Sequence, residues 1–99
     1  ILAATEKLLR ELTVQNQLLI PDIISAFFTV TPDLNAAFPA AAARKLGWHQ
    51  VALMCATEIP VPGSLPGIVR VLIHAYLDKD PVHIYLGRAV SLRPDLSKK

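Results

Sequence analysis

The sequence predicts an α+β fold in which a mixed β-sheet has helices packed on one face. Two observations carry the prediction. Helix-like and strand-like periodicities occur together within 99 residues, and they run in the order α-β-α-β-β-β, without the strict βαβ repeat of a parallel sheet. With 53% hydrophobic and 18% charged residues, residues 1–99 read as a single domain, too short for two independent cores.

The first element is "ILAATEKLLRELTVQNQ", residues 1 to about 17. Ile1, Ala4, Leu8 and Leu12 recur every three or four positions, and Glu6 and Arg10 form an i, i+4 pair on another side, so this is an amphipathic helix. It starts on Ile1 with neither an initiator methionine nor a capping residue, and an upstream segment is expected. Residues 18–21 link it to "IISAFFTVT", whose β-branched and aromatic content predicts a mostly buried strand ending at Pro32.

Thr31 and Pro32 then resemble a helix cap and first turn, and Pro39 opens an alanine-rich helix over residues 39–46 that Gly47 ends. "HQVALMCATEI" predicts a second buried strand. "PVPGSLPG" follows, with three prolines and two glycines, an irregular loop placed to line a site. The third strand is "GIVRVLIHAYL", residues 67–77, and after the break "DKDP" the stretch "VHIYLGRAVSL" predicts a fourth.

Composition excludes several classes of function. Ten basic and eight acidic residues are spread without a Lys/Arg cluster, and aromatics are few, which argues against nucleic-acid binding. No apolar run approaches the about 18 residues of a membrane span, and no signal peptide is recognisable, so a cytoplasmic protein with no membrane partner is expected. The lone Cys55 excludes an internal disulfide, and His49, His74 and His83 lack metal-ligand spacing, so no metal is expected. Nucleotide, P-loop and serine-hydrolase motifs are missing. A mean hydropathy of +0.42 is high for a soluble monomer, and points to an oligomer that covers apolar surface.

Charged or polar groups do stand out at the middle or ends of apolar strands: Glu58, Arg70, Tyr85 and Arg93. Alternation puts Ile68, Arg70, Leu72, His74 and Tyr76 on one face of the third strand. A guanidinium there requires an anionic partner. One reading is a structural ion pair between Glu58 and Arg70. The other is a pocket for a small anion, with arginines as carboxylate forks and Glu58 accepting from a substrate hydroxyl. Residue types alone leave both open.

"FTVTPDLNAAFPAAAARKLGW", "EIPVPGSLPGIVRVL" and "IYLGRAVSLRPDLS" together resemble the monofunctional chorismate mutases of the AroH class, over about residues 27–97. The resemblance implies a homotrimer of α+β subunits with active sites between neighbouring copies. It also implies the Claisen rearrangement of chorismate to prephenate, the branch step towards phenylalanine and tyrosine, with no cofactor. Matched position by position, Arg70 falls on the arginine that contacts the ether oxygen, Glu58 on the carboxylate that receives the ring hydroxyl, and Tyr85 on the tyrosine that bonds a substrate carboxylate. Cys55 falls beside the hydroxyl, Met54 on a substrate-binding position that keeps its backbone donor, and Phe38, Arg44, Leu92 and Arg93 on residues that shape the cleft, from the neighbouring subunit or the C-terminal tail.

The chain departs from the family pattern in several places. It begins after the strand whose arginine grips a substrate carboxylate, the connection in "HAYLDKDPVHIYL" is short, Ala41 stands where some members have lysine, and Met54 where some have threonine. A rival reading follows from the first of these: a non-catalytic trimer of similar fold that binds a small carboxylate or a partner protein.

Overall fold

The computed structural model describes residues 2–93, the side chains of Arg88 and Ser91 excepted, so Ile1 and the "PDLSKK" tail lie outside the described residues. Helix α1 covers Leu2–Gln15. Its buried positions are Thr5 and Leu9, whereas Leu8 and Leu12 are half-buried and Ala4 is exposed. The expected stripe of Ala4, Leu8 and Leu12 therefore borders a groove, and the core stripe lies one residue further round the helix. Glu6 accepts from Arg10 at 2.9 Å as expected, and its other oxygen reaches Lys45 at 3.3 Å, tying α1 to the next helix.

Gln17 leaves the helix with a left-handed φ of 51°, a conformation common just past helix ends. A single 3-10 turn over Ile20–Asp22 delivers the chain to strand β1, Ile23–Val30. Helix α2 is Ala40–Lys45, followed by strands β2, Ala52–Thr57, and β3, Val69–Ala75. Strand β1 is central, parallel to β2 and antiparallel to β3, so the sheet is mixed and ordered β2-β1-β3. The parallel pairing of β1 with β2 requires a crossover, and α2 supplies it.

Register decides which residues share a face. Ala26 and Phe28 pair with Leu53 and Cys55 on one side and with Ile73 and Val71 on the other. This face meets Leu9 of α1, Ala40, Ala42 and Ala43 of α2, and Trp48, forming one core. The alanines let α2 approach the sheet closely. On the opposite face Ser25, Phe27 and Thr29 line up with Ala52, Met54 and Ala56, and with His74, Leu72 and Arg70. No described element covers that face, so β1 and β2 are buried on one side only, and the expectation of two largely buried strands is corrected.

Two further expectations fail for identifiable reasons. Thr31 does not cap a helix: its hydroxyl accepts from the Ile68 N–H at 3.0 Å, its own N–H donates to the Ile68 carbonyl, and its carbonyl accepts from Leu34 in a turn. Asp33 accepts from the Gly67 N–H at 3.3 Å, so "TPD" pins the start of β3. The β-rich stretch 82–92 pairs with no strand among the described residues. Asn16, buried at the end of α1, accepts from the Val82 N–H at 2.7 Å and donates to the Val82 carbonyl at 2.9 Å, taking the groups a ladder would use. Gly87, with φ 56°, then turns the chain into a 3-10 helix over Gly87–Leu92.

Candidate active site

Arg70 sits near the start of β3, directly across from Thr29 of β1 and pointing from the uncovered face. Glu58 follows β2, where its N–H donates to the Val30 carbonyl at 2.8 Å and extends the pairing with β1 by one residue. These anchors bring the two side chains together over β1. Arg70 Nε donates to Glu58 Oε2 at 3.0 Å and Nη2 donates to Oε1 at 2.6 Å, a two-pronged pair of the geometry that guanidinium and carboxylate favour. Thr29 Oγ1 donates to Glu58 Oε2 as well.

The electrostatics follow from this arrangement. Partial burial pushes the Glu58 carboxyl up, but the hydrogen bonds from Thr29 and Arg70 and the guanidinium charge outweigh it and hold the group below the ordinary glutamate range. Glu58 is therefore an anion at neutral pH. Arg70 is not consumed by the pair. Its side chain is 58% exposed, and only two of the five N–H donors of a guanidinium are engaged. The remaining N–H groups have no partner among the described residues. The ion-pair reading and the anion-pocket reading are thus compatible: the pair sets the arginine's orientation and leaves an edge for an anion.

The surrounding hollow, about 390 Å³, is lined by Phe27, Thr29, Glu58, Arg70, Val71 and Leu72. Arg70 also borders a larger groove of about 940 Å³ that runs between the outer edge of β3, α1 and the segment after residue 80. Tyr85 and Leu92 line this groove. Met54, 66% exposed, shares the uncovered face with Arg70, whereas Cys55 turns towards the helices and packs against the core. Phe38, Arg44 and Arg93 are exposed and line neither hollow.

Within one chain the structure therefore joins Arg70 to Glu58, sets Tyr85 and Leu92 in the neighbouring groove, and leaves Phe38, Arg44 and Arg93 apart. Thr29 is the residue that sequence reasoning missed. Alternation along "IISAFFTVT" places it on the face of Phe27, but only the register opposite Arg70 shows what it meets. Among the described residues, no three His, Cys, Asp or Glu side chains gather as metal ligands.

The family model for chorismate mutase type I matches residues 1–96. The chorismate mutase AroH of Thermus thermophilus is 48% identical over 97 residues, which span 95% of this chain and 80% of that protein. The chorismate mutase AroH of Bacillus subtilis (strain 168) is 40% identical, over 98% of this chain and 80% of that protein. A solved chorismate mutase from Clostridium thermocellum superposes with a TM-score of 0.89 at 53% identity, covering 91% of this chain and 83% of that one. Agreement of sequence over nearly the whole length with agreement of fold leaves one conclusion: this chain belongs to the chorismate mutase type I family.

Proposed function

We propose that this chain isomerises chorismate to prephenate, and that Arg70 is the residue on which the rate depends most. The observation that carries the reading is the half-exposed Arg70 side chain, a cation held by Glu58 through two N–H groups and still able to donate through the others. In a Claisen rearrangement the C–O bond breaks as the C–C bond forms, and negative charge builds on the ether oxygen. A donor already oriented at that oxygen stabilises the transition state more than the ground state, without reorganising during the reaction. Glu58, kept anionic, accepts the substrate's ring hydroxyl, and Tyr85 bonds a carboxylate. Holding the flexible dianion in its compact reactive shape lowers the barrier further, by removing conformational freedom before the bonds change. No acid, base or covalent nucleophile is called for, and the reading includes no cofactor.

The working form in this reading is a homotrimer with sites between copies, acting in the cytoplasm. Phe27, Met54 and Leu72 leave an apolar strip beside Arg70, 37%, 66% and 58% exposed, which a second copy of the chain would cover. Phe38, Arg44 and Arg93, which line neither hollow of the single chain, would then be offered to a neighbour's cleft, Leu92 would shape the groove that Arg70 borders, and Met54, on the face of Arg70, would flank the hydroxyl end, whereas the Cys55 side chain packs on the core side of β2. No described helix is long and apolar enough to cross a membrane.

The test is direct. Purified full-length protein in the presence of a metal chelator should consume chorismate, followed by the fall in its absorbance, and yield prephenate in equal amount. A folded protein that binds chorismate without converting it would contradict the proposal.

A further inference from the structure

We infer that Thr29 is a positioning residue for this rearrangement: its hydroxyl occupies Oε2 of Glu58 and thereby leaves Oε1 as the oxygen that receives the substrate's hydroxyl. The inference rests on the assignment of Arg70 and Glu58 to the chorismate site. A carboxylate offers about four acceptor positions, two on each oxygen. Oε2 takes the Thr29 hydroxyl and the Arg70 Nε–H, which fills it, whereas Oε1 takes only the Arg70 Nη2–H. One acceptor position therefore remains, and it lies on Oε1, the oxygen bonded to Arg70 Nη2.

Thr29 is well placed to enforce this. It lies within β1, paired with Ala56 on one side and Arg70 on the other, so its backbone is held from both neighbouring strands. A β-branched side chain has few χ1 choices, and the hydroxyl direction is set before substrate arrives. The terminal torsion of a glutamate is by contrast broad and soft. Without the Thr29 donor, Oε2 would keep a vacant acceptor position, the carboxylate could exchange its two oxygens, and the guanidinium paired with it would lose its single orientation. Arg70 is the other side chain among the described residues that holds Glu58, and it must also serve the substrate.

Three full-length variants test the inference: Thr29→Val, which keeps the shape and strand preference but removes the donor, Thr29→Ser, which keeps the donor, and Arg70→Ala. The measurements are kcat and KM for chorismate from acid to neutral pH, with the Glu58 carboxyl titrated by NMR in the unliganded protein. Thr29→Val should lower kcat by about ten-fold, the weight of one hydrogen bond to a charged group, with a smaller change in KM. Because the Thr29 bond favours the ionised carboxylate, its loss should move the Glu58 titration and the acid limb of the rate profile to higher pH. Thr29→Ser should restore kcat and both titrations. A Thr29→Val enzyme with unchanged kcat and acid limb, alongside an inactive Arg70→Ala, would overturn the role of Thr29 and leave the site assignment standing. Full activity in Arg70→Ala would overturn the site assignment and the inference together.

Discussion

Phe27 and Phe28 are neighbours in β1 and identical in chemistry, yet one is 37% exposed and the other fully buried. Phe28 faces α1, α2 and Trp48, and its side of the sheet is closed by the chain itself. Phe27 faces outward with Met54, Leu72, Thr29 and Arg70, and its side is left open. The two faces divide the work of the molecule. The closed face supplies the apolar burial that makes the chain fold, and the open face carries Arg70, whose side chain is 58% exposed and engages Glu58 through two of its N–H groups.

This contrast can be broken or sharpened by substitution. The largest change in stability belongs to the closed face: Phe28→Ala should destabilise the protein by about 3–5 kcal/mol, since it removes a buried ring and leaves a cavity among well-packed neighbours. Denaturant unfolding measures it, and a loss below about 1 kcal/mol would mean that the helices do not seal this side. A smaller effect on the fold, with a large one on assembly, belongs to the open face. Leu72→Asp puts a charge into the apolar strip while leaving the core untouched, and, on the proposed assembly, should shift sedimentation from trimer to smaller species with the circular dichroism spectrum retained. A variant that still sediments as a trimer would show that the copies meet elsewhere.

How much of this was legible beforehand depended on the range of the interaction. Alternation in "GIVRVLIHAYL" placed Ile68, Arg70, Leu72, His74 and Tyr76 together, and the structure leaves the last four exposed but buries Ile68, whose N–H is bonded to Thr31 before the strand begins. The Glu6–Arg10 pair and the helix ending before Gly47 were equally local. Long-range pairings were not. "VHIYLGRAVSL" has the residue types of a strand, but Asn16, 66 positions earlier, takes the backbone groups of Val82. Thr31 looks like a helix cap and instead fastens residue 68, and Cys55 and Met54 are adjacent in the resemblance but turn to opposite faces of β2. Thr29 became visible only through its register opposite Arg70, a fact about two strands that neither strand contains. Phe38, Arg44 and Arg93 line neither hollow of the single chain, so its geometry does not single them out.

The central claim is that Arg70 serves the reaction and not the fold, and one variant measured in two ways tests it. Arg70→Ala should reduce kcat/KM for chorismate by about a hundred- to thousand-fold, the weight of one preorganised donor at a developing charge. The same variant should change unfolding free energy by no more than about 1 kcal/mol, because the Arg70 side chain is 58% exposed and Glu58 keeps its hydrogen bond from Thr29 when the guanidinium is removed. A large loss of stability with chorismate turnover within a few-fold of the unaltered protein would contradict the account, and would return Arg70 and Glu58 to the status of a structural pair.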